Sequence, residues 1–153
     1  MDFKPYIDLF AAALTPMIAI TTVYIAYQQY RVNRINLRLN LYDRRVEVFR
    51  GVLTHLSAAA REAKLKSEDL MNFLRSTSKK EFLFDHDLCQ YLEEIYGRSV
   101  DLWSASSQLA DRDMPYGPER TQLVDRQSQQ LKWLSDQLPE LRKRFSKYLT
   151  ITK

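Results

Sequence analysis

From Leu9 to Tyr30 the chain runs twenty-two residues without a charged side chain, and arginines then follow at Arg31, Arg34, Arg38, Arg44, Arg45 and Arg50. A helix rising about 1.5 Å per residue crosses a hydrocarbon layer roughly 30 Å thick in about 20 residues, so the run is long enough for one span. Phe3 and Tyr6 mark one end of it, and Tyr24, Tyr27 and Tyr30 the other. Tyrosine suits such a boundary because its ring is apolar and its hydroxyl seeks water. Tyr6 and Tyr27 lie about 31 Å apart along a straight helix, close to the thickness of the layer. Asp8 falls at the outer edge, within reach of water. A cleaved leader needs a basic start and a small-x-small site after the apolar run, and this sequence has neither. An interfacial helix needs charges along one face, and the run has none. The expectation is a retained transmembrane helix within residues 1–30.

Orientation follows from the basic residues. Lys4 is the only one before the run, whereas five arginines lie between Arg31 and Arg45. The positive-inside rule puts the short N-terminus outside and residues 31–153 in the cytoplasm. Arg31, Arg34 and Arg38 then meet anionic headgroups, each contributing on the order of 1 kcal/mol. Together with Tyr6, Tyr24, Tyr27 and Tyr30 they form the expected membrane interface. Pro16 leaves the Ala12 carbonyl without its helical donor and bends the helix there, a loss that Thr15 softens by bonding back. Small residues at Ala11, Thr15, Ala19, Thr22 and Ala26 leave room for a second span.

Beyond the arginines, the apolar residues Val32, Ile35, Leu39, Tyr42, Val46, Phe49, Leu53, Leu56, Ala60 and Ala63 alternate three and four apart. This is a heptad seam, and it predicts one nearly continuous helix from about Tyr6 to Ala63. Leu37, Leu41, Val48, Val52 and Ala59 widen the face, which favours packing against several neighbours in the same chain. The sharper alternative is a parallel coiled coil between protomers. Ser67 with Glu68 and Asp69 reads as a cap for a short helix with Leu70, Phe73 and Leu74 inward. Asp85 and Asp87 read as caps for a helix with Leu88, Leu92, Ile95, Ser99, Leu102, Ser106 and Leu109 on one seam. Asp111 to Glu119 is the clearest loop, closed by Gly117 as a cap and Pro118 at the first helical position. The last helix carries Leu131, Leu134, Leu138, Leu141, Phe145, Tyr148 and Thr152 in one register, which passes Pro139 unbroken and so predicts a single, kinked helix. Three glycines and five prolines in 153 residues suit long helices better than a turn-rich sheet. The predicted fold is all-α, a transmembrane helix continuing into an antiparallel bundle of about four helices.

Candidate chemistry is sparse. His86 between Asp85 and Asp87 is the one spot resembling a metal site, but adjacent residues on a helix diverge, and capping accounts for both aspartates. His55 beside Leu56 reads as a surface or boundary residue with no nucleophile tied to it. Gly51, Gly97 and Gly117 lie too far apart to build a phosphate-cradling loop. One cysteine, Cys89, excludes an intrachain disulfide. No catalytic residue, cofactor or metal is expected. Asp43, Arg44 and Arg45 are expected in ion pairs within their helix or across to Glu93, Glu94 or Glu140. Arg44, Arg45, Arg142, Lys143, Arg144 and Lys147 are the candidate contacts to a second lipid surface or a partner, with Lys153 beside them. The net charge of +4 is mild; with the arginines near the span already assigned to lipid, nucleic acid is disfavoured as a partner.

The stretches Gln28-Gln29-Tyr30-Arg31-Val32-Asn33-Arg34 and Leu37-Arg38-Leu39-Asn40-Leu41-Tyr42-Asp43-Arg44-Arg45, with Phe82-Leu83-Phe84, Leu131 to Leu138 and Arg144 to Leu149, resemble a group of small bacterial membrane proteins. The resemblance implies an inner-membrane protein with a short periplasmic N-terminus, one span and a cytoplasmic helical domain, and it carries no activity with it. The expected function is a membrane-tethered interaction or scaffold module whose partners are the bilayer and either a second copy or another protein. The rivals are a small membrane-active effector working through clustered spans, and an enzyme or ligand-binding domain with an unrecognised site.

Overall fold

A computed structural model describes the backbone of residues 4–111 and 117–150, and the side chains of that set from Leu14 onward, Thr15 excepted. Five helices follow one another: α1 (Lys4–Glu62), α2 (Ser67–Thr77), α3 (Lys80–Leu83), α4 (His86–Leu109) and α5 (Pro118–Phe145). A 3₁₀ turn, Ser146–Tyr148, closes the described chain. No strand occurs among the described residues, and the all-α, bundled fold read from the sequence is the one observed. Two compact units divide at Asn40 and Leu41.

The second unit holds the core. Val48, Val52, Leu56 and Ala59 of α1 are buried there with Phe73 of α2, Leu83 and Phe84, then Leu92, Ile95 and Leu102 of α4 and Leu134, Leu141 and Phe145 of α5. The α4 seam packs as the heptad spacing predicts from Leu88 to Leu102, with Ser99 fully buried, but at its end Ala105 is buried while Ser106 and Leu109 are half-buried. The stripe on α1 is rotated from the predicted one. Val46, Phe49 and Leu53 are half-buried, Ala60 is exposed, and the flanking line Val48, Val52, Ala59 is what the core encloses. A helix facing several neighbours buries the middle of a broad apolar face, and here that middle lies about one residue off the heptad line.

Capping decides where the helices begin. Asp85 caps α4 as predicted, its carboxylate accepting from the Leu88 N–H at 3.1 Å. Gly117 caps α5 with Pro118 at its first position. The cap of α2 is Lys66, not Ser67: Asp69 reaches back and accepts from the Lys66 N–H at 2.8 Å, which draws Ser67 into the first turn. Leu70 and Phe73 turn inward as expected, but Leu74 stays 41% exposed. Pro139 sits within α5, which continues through it as one helix. Helix α1 is closed by Ala63, the residue after Glu62, whose φ of 53° lies in the left-handed region while its N–H still donates to the Ala59 carbonyl at 3.0 Å.

The first unit is the N-terminal part of α1, and its described side chains are exposed. Met17, Ile20 and Val23 each show more than two-thirds of their surface. Val32, Ile35 and Leu39 remain about half exposed.

Candidate functional site

The large apolar side chains exposed from Leu14 to Leu41 lie on every side of α1. Folding in water normally hides such residues, and an all-round apolar helix belongs in an apolar surrounding. The polar groups within the stretch are satisfied locally. Thr21 Oγ1 donates to the Met17 and Ile18 carbonyls at 2.9 Å, and Thr22 Oγ1 to the Ile18 carbonyl at 2.7 Å. Hydroxyls bonded back in this way ask for no water. Tyr24, Tyr27 and Tyr30 are all exposed by about three-fifths, with Gln28 Nε2 donating to the Tyr24 hydroxyl at 3.0 Å. Arg31, Arg34 and Arg38 are exposed, and the Arg34 guanidinium stands 5.7 Å from the Tyr30 ring centre. Tyr6, Asp8, the small residues Ala11 and Thr15, and the first five residues of the run, Leu9 to Ala13, lie outside the described side chains. Among the described residues no helix is long and apolar enough to cross a membrane.

The basic residues proposed as a second contact surface are mostly engaged within the fold. Arg45 Nε donates to the Leu83 carbonyl at 3.2 Å, and its guanidinium sits 5.5 Å from the Tyr148 ring centre. Arg144 lies over the Tyr91 ring at 4.4 Å and bonds Glu140 at 3.2 Å, which Lys143 also approaches at 3.7 Å. Burial of Tyr91 pushes its pKa up to about 12 despite that guanidinium. Lys147 bonds Asp85 at 2.6 Å, tying the start of α4 to the C-terminal turn, and its ammonium holds the Asp85 carboxyl well below the ordinary range. The groove where Asp85, Glu140, Lys143, Arg144 and Lys147 meet therefore carries both signs of charge. Arg44 is exposed. Lys153 lies outside the described residues. The acids expected to serve Arg44 and Arg45 have other partners: Lys80 for Glu93 at 3.2 Å, Arg98 for Glu94 at 3.1 Å, and Lys143 and Arg144 for Glu140. Each of these pairs is made by the nearest cation, three or four residues away on the same helix or on adjoining α3, ahead of any reach to α1.

His55 is the residue that sequence reasoning misplaced. It is 4% exposed, with its ring against Phe73 at 4.7 Å between centres. Its Nε2 lies 2.8 Å from Ser99 Oγ, which donates in turn to the Ile95 carbonyl at 2.7 Å. His55 Nδ1 is left buried without a hydrogen-bond partner. The pair resembles a nucleophile and its base, but Ser99 is fully buried. The signal was present in the sequence: His55 falls on the Val48, Val52, Ala59 stripe, three residues after Val52 and four before Ala59.

Burial lowers the pKa of His55 from its ordinary 6.5, with the Asp69 backbone and charge working the other way. The folded state therefore favours the neutral ring, while the unfolded state takes up a proton as pH falls through 6.5. Stability is complete above that pH and declines below it until the folded ring also protonates. Between pH 7 and pH 5 the protein should lose more stability than a His55→Gln variant does in urea unfolding. Equal losses in the two would refute the assignment.

Searches with protein-family models, among curated proteins and among solved structures find no match to the chain.

Proposed function

We propose that the protein is a membrane-tethered helical interaction module. The N-terminal stretch of α1 is its anchor, in a single pass with the N-terminus outside, and the bundle from Leu41 onward is the cytoplasmic domain. The observation that carries this reading is the all-round exposure of large apolar side chains from Leu14 to Leu41, continuous with the uncharged run that begins at Leu9. Tyrosines then arginines at its inner end give the order expected where hydrocarbon meets headgroups. In this reading the membrane is the inner one, as the resemblance to small bacterial membrane proteins implies. Of the basic residues, Arg31, Arg34 and Arg38 are the headgroup contacts in this reading. Arg45, Arg144 and Lys147 serve the bundle instead, because their charges are already met there.

The test is fractionation of cells producing the full chain. The protein should stay with carbonate-washed membranes and dissolve only in detergent, and its recovery in the aqueous extract would overturn the reading. Topology is read by thiol labelling. Cys89 is buried, and burial raises the pKa of its thiol, so it is a poor reporter. An exposed reporter, Ser57→Cys in a Cys89→Ala background, should react with an impermeant maleimide in inverted vesicles and stay unlabelled in intact cells.

A further inference from the structure

We propose that α1 pairs in parallel with α1 of a second copy of this chain, in the heptad register set by Val32, Ile35 and Leu39. The proposal rests on the membrane-tethered reading, which gives both copies the same orientation, and it names the partner that reading leaves open.

Val32, Ile35 and Leu39 follow the three-four spacing of a coiled-coil seam and are about half exposed. With Val32 at the first core position of a heptad, the same position upstream falls on Ile25 and Ile18, both more than half exposed. Branched residues are an ordinary filling of this position in a parallel coiled-coil seam. Thr21 and Gln28 occupy the alternate core positions on the upstream side. Thr21 already has its hydroxyl bonded to its own helix, and Gln28 its amide to Tyr24.

Charge supports the same register. In a parallel pair, the residue just before one core position faces the residue five further along on the other helix. This rule brings Arg38 of one copy against Asp43 of the other, twice by symmetry. Both residues are exposed, and neither has an ion-pair partner among the described residues. They cannot serve each other within one helix, since residues five apart point to different sides. The same offset brings Arg31 against Asn36, a donor against an amide. One heptad further it would set Arg45 against Arg50, an unfavourable match. Arg45, however, is turned to the Leu83 carbonyl and the Tyr148 ring, and Val46, Phe49 and Leu53 are half-buried in their own bundle. The seam therefore ends at Tyr42, where the intrachain core takes over.

The experiment uses the full-length chain in its membrane, with Cys89→Ala and single cysteines introduced along α1. Oxidation should link Ile35→Cys and Leu39→Cys into dimers several-fold more than the outward positions Asn33→Cys, Leu37→Cys and Asn40→Cys. Equal linking at all five, or none, in chain that pellets with the membrane would overturn the pairing, leaving lipid or another protein on this face. In the Leu39→Cys background, Arg38→Asp and Asp43→Arg should each reduce dimer by about tenfold, because two attractions become two repulsions. Co-producing these two variants should restore it, since each then meets its opposite. No restoration would overturn the parallel register. The two readings fail separately: chain recovered in the aqueous extract that still links along the seam would overturn the span and support the pairing.

Discussion

Phe145→Ala should lower the stability of the bundle by about 3–5 kcal/mol, the largest effect expected of any single substitution in this chain. Phe145 is the final residue of α5 and is completely buried. Its ring lies 5.4 Å from that of Phe49 on α1 and 5.2 Å from that of Phe84, which sets the entry to α4. Phe84 in turn meets Tyr148 edge-on at 5.1 Å. Truncation to alanine opens a void at the junction of three elements that cannot all close on it at once. Denaturant unfolding of the full chain, followed by tryptophan fluorescence, should show a lower midpoint with an unchanged slope. Phe145→Leu keeps most of the volume and should lose less than half as much. A loss below about 1 kcal/mol for the alanine variant would mean that the aromatic junction is not what closes the bundle.

Alanine at Gly51 and alanine at Gly97 should shift stability in opposite directions. Both glycines lie inside helices, where alanine is ordinarily better by about 1 kcal/mol. A methyl added at Gly97 meets nothing within 4 Å, so Gly97→Ala should stabilise by about 0.5–1 kcal/mol. A methyl added at Gly51 falls 2.5 Å from Ser76 Cβ and 2.6 Å from its Oγ. The β-carbon cannot swing aside as the end of a long side chain does, so α1 and α2 must separate, at a net cost of about 1–3 kcal/mol. Ser76→Gly in the same chain removes the obstruction and should recover most of the Gly51→Ala loss, a coupling that independent sites do not show. Thermal melts of the four variants check the signs. Two shifts of the same sign would mean that α1 and α2 are not held together at this glycine.

The centres of the α4 and α5 seams, Leu88 to Leu102 and Leu134, Leu141 and Phe145, were legible in the sequence because the heptad template follows them. Asp85, Gly117 and Pro118 were legible because capping is a local affair. On α1 the same template misled. Two apolar lines run along that helix, and only tertiary packing decides which is central. Choosing the Val46, Phe49, Leu53 line left His55 on the outside, when the Val48, Val52, Ala59 line carries it into the core against Ser99, forty-four residues away. No spacing rule connects positions that far apart. The ion pairs were misjudged for a related reason, since Glu140 takes Arg144 one turn along its own helix before any residue of α1 can compete. Tyr24, Tyr27, Tyr30 and the three following arginines are exposed, and their spacing alone marks them as a group in the sequence. In the C-terminal basic cluster, a count of cations does not reveal which carboxylates and aromatic rings stand beside them.

The left-handed turn at Ala63 fixes how long the first rod can be. Leu65 is buried only two residues later, so the chain must double back at once to bring that side chain home. An alanine holds this backbone at a cost of about 1–2 kcal/mol, and a valine or isoleucine, branched at the β-carbon, could hardly hold it at all. Branching there would favour winding the rod onward, which swings Leu65 into water and unlatches the second helix. A single methyl-bearing residue in an uncomfortable posture thus works as the ruler for the longest element of the molecule.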